Sequence, residues 1–529
     1  MRTSCLMLLC GWVLCMAGVC PAAAPEPGQT VLEADFDAAD ALQAWSGRSD
    51  GARLVPDGKG GRALRITATD AAAGAHVQVP IAPEPLRGCK LLLSARIRAE
   101  NVSAKPQDWN GIKFMLPMVA PDGRHWPQAG LGVGSFDWKD VLWQARVPPG
   151  TTEMRLFLGL ERVTGTVWFD DLKVTVRRSP IDASTRVHKG PVYRGHDLPR
   201  LRGAMVSPNV TAESLRTFGK EWNANVVRWQ LFGFRPRFDT GDLAEYDRRL
   251  EEELAKLDAA LPVCREAGLM VVVDLHTGPG HWADPPRSIF TNKACQDRFV
   301  AIWEAMARKY KDEPCIWGYD LLNEPLEEGA ARGVADWQGL AERTARAIRR
   351  IDPDRCLIVE PAPWGGVGSM GSLVPLDVPH VVYSAHMYVP SQFTHQGVYN
   401  RSQEPVPYPG EIAGKQWDKA ALEAALGPVI TFQKTYNVHI FLGEFSAIRW
   451  APDGSAHRYL RDCIDLFEQY GWDWTYHAFR EWDGWSVEHG PDRNDHQPTA
   501  DPTPRKRLLL EWFAKNEKPG GDQAIGNGQ

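Results

Sequence analysis

Several short apolar runs in the C-terminal two-thirds of the chain stop on residues that can do chemistry. Val226-Val227 is followed by Arg228-Trp229, and Val273-Asp274-Leu275 by His276. Leu321-Leu322 leads into Asn323-Glu324-Pro325, and Tyr383-Ser384-Ala385 into His386-Met387-Tyr388. Phe441-Leu442-Gly443 ends in Glu444-Phe445, and a last run is followed by Arg480-Glu481-Trp482. A lone acid after an apolar run is usually a turn residue or a helix cap. A whole set of polar and aromatic groups, each placed just past buried residues, is not explained that way. The two glutamates matter most. Two carboxyls held close together can divide the work of proton donor and nucleophile. Glu324 and Glu444 are 120 residues apart in sequence, so the fold has to bring them together.

The elements around these residues predict such an architecture. Strands are expected to start at Leu201, Ala224, Leu269, Cys315, Cys356, Val381, His439 and Trp472. Amphipathic helices are expected between them, over 243–267, 299–311, 335–350, 418–436 and 457–470, with Gly268 stopping the first. Strands alternating with helices imply a parallel sheet with crossover helices. Eight such units suit an α/β fold, the (β/α)8 or TIM barrel, whose chemistry collects at the C-terminal ends of the strands. The ends of the fourth and seventh strands then face each other across the mouth. An open doubly wound sheet is the alternative, but no glycine-rich phosphate loop follows the first strand.

The rest of the chain divides differently. Residues 1–24 carry Arg2, an apolar run from Leu6 to Val19 too short to span a bilayer, and Ala22-Ala23-Ala24. This pattern is that of a signal peptide and points to a secreted, extracellular or periplasmic protein. Residues 30–178 alternate in short runs (63–67, 91–97, 154–160, 167–176) separated by Gly, Pro and Asp, as in an all-β sandwich or jelly roll. A turn-rich linker covers 179–199, the barrel 200–517, and a polar tail 518–529. Four of the ten cysteines leave with the signal, and the remaining six have no zinc spacing and no compact disulfide pattern. Buried thiols are the default, with one disulfide left open. Net charge is -6 without basic runs, which argues against a nucleic-acid binder. No other stretch is a membrane span. The 21 tryptophans suit either core packing or stacking on sugar rings.

The ordered set Arg228, His276, Asn323-Glu324-Pro325, His386, Tyr388 and Glu444 resembles glycoside hydrolase family 5, the cellulase family, over about residues 200–515. The stretch 383–397, with Phe393-Thr394-His395-Gln396-Gly397, is part of that likeness. The resemblance implies a retaining β-glycosidase with Glu324 as general acid/base and Glu444 as nucleophile. Glu324 then needs a raised pKa, expected chiefly from the charge of Glu444. Arg228 and Tyr388 would keep Glu444 ionised, Asn323 would bind the sugar 2-hydroxyl, and His276 and His386 would position substrate and carboxylates. No metal spacing joins the histidines, and no cofactor is implied.

At the eighth strand the chain departs from the family pattern, which places a Trp close behind an aromatic. Here the residues are His477-Ala478-Phe479-Arg480-Glu481-Trp482. Trp482 is the candidate sugar platform, with Trp474, Phe479 and Trp485 as rivals. Trp282 and Trp364 are candidates for outer subsites or for core. The N-terminal region resembles the jelly-roll carbohydrate-binding modules of families 4 and 9 through Gly165 to Leu172 (GTVWFDDL), the closing strand of that group. Such modules can hold a structural calcium. Trp109, Trp126, Trp138 and Trp143 are candidates for a glycan groove or for packing. The expected partner is a β-glucan or related polysaccharide, acted on by a monomer. An endo-β-1,4-glucanase is the leading reading, with a β-mannanase or an exo-acting β-glucosidase or β-1,3-glucanase as alternative. A non-catalytic glycan-binding barrel would be expected to lack one of the two glutamates.

Overall fold

In the computed structural model, residues 24–47, 50–233, 236–282 and 288–520 are described. The expected signal segment, apart from Ala24, and most of the expected tail lie outside them. The chain groups into two compact units. One comprises residues up to Leu91, Arg98–Asp137 and Ala145–Pro180; the other comprises Leu92–Ile97, Trp138–Gln144 and Ile181 onward.

The N-terminal region is antiparallel β-structure, in one sheet of six strands and one of five. Its first strand is Thr30–Ala34 and its last Gly165–Arg178, and these two pair with each other. Alternation drives the strands. In Arg62–Ala68 the residues Leu64 and Ile66 are buried, and in Glu153–Glu161 Leu156 and Leu158 are buried, with polar or half-buried residues between.

The second unit holds a closed parallel barrel of eight strands. They are β1 (Arg202–Val206), β2 (Val226–Gln230), β3 (Met270–Asp274), β4 (Ile316–Asp320), β5 (Cys356–Val359), β6 (Val381–Met387), β7 (Ile440–Phe445) and β8 (Asp473–Tyr476). Pairing of Arg202 to Ala204 with Trp474 to Tyr476 closes the ring. The two-residue period of each strand sorts its side chains. Val226, Met270, Val272, Cys356, Ile358, Val382 and Phe441 form one apolar cluster. Their neighbours Val227, Val271, Val273, Leu357, Val359 and Leu442 join the larger cluster made with the helices. Two residues further along the first set come Arg228, Asp274, Glu360 and Ser384, so the interior changes from apolar to charged toward the mouth.

Local signals place the helices. Asp242 caps Leu243–Ala267 by accepting from the amides of Ala244 and Glu245, and Gly268 ends it in the left-handed region. The helix expected from Phe299 begins earlier, at Lys293, because Asn292 caps it. The single helix expected over 418–436 is two, Lys419–Ala425 and Gly427–Tyr436, divided where Gly427-Pro428 starts the second. A further helix, Pro504–Phe513, follows the barrel. The linker lies against its own unit: Arg194 O accepts from the Trp317 indole at 3.1 Å, and His196 Nε2 is 2.7 Å from Asp473 Oδ2. All six cysteines among the described residues are free and buried. Burial pushes the Cys264 thiol up to about 12, as befits packing residues. No helix among the described residues is long and apolar enough to cross a membrane.

Candidate active site

Arg228 organises the barrel mouth. Its fully buried guanidinium donates from Nε to Asp320 Oδ2 at 2.9 Å and from Nη1 to Glu444 Oε1 at 2.8 Å. Nη2 donates to Asn323 Oδ1 at 3.0 Å and to Glu360 Oε1 at 2.9 Å, and lies 3.1 Å from Asp274 Oδ1. The planar fork thus ties the ends of β2, β3, β4, β5 and β7 to one another.

Glu324 leaves β4 in the left-handed region, at φ 44°. For a non-glycine residue that conformation is strained and persists only where its surroundings enforce it. Here the Glu360 carboxylate accepts the Glu324 amide at 2.8 Å. The side chain meets His386 Nδ1 at 2.9 Å through Oε1, and His386 Nε2 lies 3.1 Å from Glu360 Oε1. Across the mouth, Tyr388 donates its hydroxyl to Glu444 Oε2 at 2.9 Å. One oxygen each of Glu324 and Glu444 and one nitrogen of His386 lie within 4.8 Å of one another.

A register shift creates this meeting. Ala385 pairs with Leu442, but His386 pairs with Glu444, so Gly443 is bulged out of the ladder. A Cβ at Gly443 would stand 2.8 Å from Ser384 Oγ and 3.1 Å from His386 Nε2. Gly365 is equally constrained. Its φ is +59°, a Cβ there would come within 2.4 Å of Glu360 Oε2, and its carbonyl accepts the His386 amide.

The two glutamates are pushed in opposite directions. Burial raises the Glu324 pKa; the charges of Glu444 and Glu360 add to this, and the His386 hydrogen bond opposes it. Burial, rather than the charge of Glu444, is therefore the larger cause: the side chain is largely enclosed, and His386 offsets the neighbouring anions. For Glu444 burial again opposes ionisation, but the charges of His386, His477, Arg228 and His276 outweigh it and hold the carboxyl well below the usual range. Burial also opposes a charge on His386, yet Glu360, Glu444 and Glu324 keep it protonated. Asp320 is raised well above the ordinary carboxyl value by burial; Glu360 and Asp274 add to the rise and Arg228 opposes it.

Arg228, His276, Asn323, Glu324, His386, Tyr388 and Glu444 all meet here. His276 Nδ1 lies 2.8 Å from Asp274 Oδ2, and its Nε2 is 3.4 Å from Asn323 Nδ2. Among the tryptophans, Trp474 is fully buried with its indole donating to Glu468, and Phe479 packs on Phe218 and Trp222, so neither faces the mouth. Trp485 is buried with its ring 6.2 Å from Tyr388 and 5.7 Å from His477. Trp482 is 41% exposed and meets Trp485 edge-on at 5.6 Å. Trp364 is exposed in the loop after β5, and Trp282 stacks on His281 after β3. Sequence reasoning missed Asp320, Glu360 and His477 as site residues, and noted Glu481 at a strand end without giving it a role. Glu360 carried a usable signal, lying two residues beyond the inward-facing Ile358, whereas Asp320 lies three residues beyond Trp317 of the same inner cluster, past a register shift in its strand.

The family described as Cellulase (glycosyl hydrolase family 5) matches residues 189–483. Endoglucanase C of Acetivibrio thermocellus is 30% identical over 258 residues, covering 43% of this chain and 73% of that protein. Cellodextrinase A of Ruminococcus flavefaciens is 26% identical over 282 residues, covering 51% and 81%.

Proposed function

Because the chain belongs to the cellulase family, glycosyl hydrolase family 5, we propose that it is an endo-acting β-1,4-glucanase in which Glu324 and Glu444 carry out the family's retaining hydrolysis. Protonated Glu324 gives its proton to the glycosidic oxygen while Glu444 attacks the anomeric carbon. The leaving sugar departs with that proton, and Glu444 is left as a glycosyl ester. Water then attacks the same carbon, ionised Glu324 takes its proton, and the carbon–oxygen bond of the ester breaks with its electron pair returning to Glu444.

One observation carries this reading: one oxygen of the Glu324 carboxyl and one of the Glu444 carboxyl lie within 4.8 Å of each other, in keeping with the retaining spacing. Their environments favour a proton on Glu324 and a charge on Glu444. Arg228 and Tyr388 occupy both oxygens of Glu444 with donors, which keeps it ionised and aims it. Asn323, with its oxygen held by Arg228, can offer its amide to the sugar 2-hydroxyl. The exposed ring of Trp482 provides a stacking face near the mouth.

The relatives' names support β-1,4-glucan as the substrate. Product profiles on carboxymethyl-cellulose, mannan and laminarin test it. Mixed short oligomers from cellulose alone are expected, whereas single-sugar release or preferential attack on mannan or laminarin would overturn the substrate. Glu324→Ala and Glu444→Ala should each lower turnover by about a thousand-fold or more while the fold persists. Wild-type turnover in either, or an inverted anomer in the first product, would remove the mechanism.

The N-terminal region exposes Trp109 and Trp126 at 62% and 56%. Gln128 donates to the Trp109 carbonyl at 3.2 Å, bringing the two segments together. Flat exposed rings of this kind support sugar binding by that region, and loss of retention on cellulose by Trp109→Ala and Trp126→Ala tests it. Residues 1–24 support export, which N-terminal sequencing of the chain recovered outside the cytoplasm checks.

A further inference from the structure

His477 directly follows β8 and stands beside Glu444. Its Nδ1 lies 2.5 Å from the Tyr388 oxygen and 3.6 Å from Glu444 Oε2. Its Nε2 lies 3.9 Å from Glu481 Oε2, and Glu481 accepts a 2.7 Å hydrogen bond from Gln230. The Tyr388 hydroxyl has one proton, already donated to Glu444. The contact with His477 is therefore filled by an Nδ1–H donating to the phenol oxygen. With a proton on Nδ1 and a carboxylate facing Nε2, the arrangement favours an imidazolium.

We propose that His477, held as a cation by Glu481, is a positioning residue that speeds the second half of the reaction by stabilising Glu444 as its carboxylate reforms. The proposal rests on Glu444 being the nucleophile. In the glycosyl ester Glu444 is neutral, so the nearby cation gains little from it. As water attacks the anomeric carbon and gives its proton to Glu324, the electron pair of the breaking bond returns to Glu444. The attraction from His477, direct and through the Tyr388 hydroxyl, grows with that charge and so lowers this barrier. In the first half the same attraction is lost as the ester forms, so the cation gives no help there.

The surroundings agree. Burial works against a charge on His477, but Glu444 and Glu481 outweigh it, with His386 opposing, so its pKa is raised. The other groups packed around it are Tyr388, just past β6, and the Trp485 ring, with His395 behind Trp485 and Tyr388, while Arg228 holds the far oxygen of Glu444. His395 is brought down to about 4, mainly by burial and then by His477, and so stays neutral beside the cation. Glu481 is kept ionised: burial opposes this, and His477, His276 and Gln230 outweigh burial.

The test uses the full chain and 2,4-dinitrophenyl β-cellobioside, whose leaving group needs no proton, so that ester hydrolysis limits turnover. His477→Gln should lower kcat about ten-fold or more, lower KM in step, and leave kcat/KM within about three-fold. A burst of dinitrophenolate and an ester adduct visible by intact-mass spectrometry should accompany it. Glu481→Gln keeps His477 but removes its anion, so the alkaline loss of kcat should move to lower pH; this variant decides the matter if His477→Gln does not fold. Equal falls in kcat and kcat/KM without a burst, or an unmoved alkaline limb in Glu481→Gln, overturn the proposal. Turnover surviving in Glu444→Ala would instead remove the nucleophile assignment beneath it.

Discussion

Replacing Arg228 with Met tests the electrostatic frame on which both glutamates depend. The guanidinium is fully buried and lies 2.8 Å from Glu444, 2.9 Å from Glu360, 2.9 Å from Asp320 and 3.1 Å from Asp274. At 2.8 Å, with an effective dielectric of about 20, one such pair is worth about 6 kcal/mol before desolvation is counted. Because the charges must also be stripped of water, the net cost of removing one partner from a buried network is about 3–5 kcal/mol. Met preserves apolar volume, so the loss reports the carboxylates left behind. Urea unfolding of the barrel, followed by tryptophan fluorescence, should show a loss of that size at about pH 7, with Arg228→Lys recovering only part because an ammonium cannot span five elements. The pH dependence has a defined sign. In both Glu444 and Glu360 burial opposes ionisation, but the neighbouring cations, His386 first, hold the carboxyl below its ordinary value. Carboxyls depressed in this way stabilise the fold above their unfolded pKa of about 4.3, and that stability fades as pH falls through the folded value. The penalty of Arg228→Met should therefore be smaller at about pH 4 than at about pH 7. A penalty below about 1 kcal/mol, or one equal at the two pH values, would refute the reasoning.

Two further substitutions separate charge from shape. Asp320 is pushed well above the usual carboxyl range, mainly by burial, with Arg228 opposing, so its protonated form is favoured relative to an ordinary carboxyl; Asp320→Asn, which mimics that form, should keep turnover and change stability by no more than about 1 kcal/mol, and a loss matching that of Arg228→Met would show the side chain to be ionised. Gly443→Ala places a methyl 2.8 Å from Ser384 Oγ and 3.1 Å from His386 Nε2. Displacing His386 by a fraction of an ångström should cost about a hundred-fold in turnover, and undiminished turnover would mean that the bulge does not set the geometry.

Much of this protein is legible along the chain because its signals are local. The apolar runs at 226–230, 270–274 and 440–445 become strands, and Gly268 and Gly471 stop helices in left-handed conformations. Asn323-Glu324-Pro325 and Glu444 stand out because each follows buried residues directly. Helix limits were less legible where caps compete with periodicity. Asn292 caps a helix that starts at Lys293, six residues before the amphipathic pattern begins at Phe299, and Gly427-Pro428 divides another.

Sequence alone determined that a barrel rim would carry two glutamates with an arginine, two histidines and a tyrosine, since residue type and strand position are properties of the linear chain. Tertiary structure alone decided which groups share one electrostatic site. The closed ring brings Asp320, Glu360 and the pair His477 and Glu481 in from three separate stretches, and the Gly443 bulge sets His386 opposite Glu444. It also decided that burial governs the proton on Glu324 more than the charge of Glu444 does. Desolvation and Coulomb attraction depend on distances through space, which sequence separation does not encode.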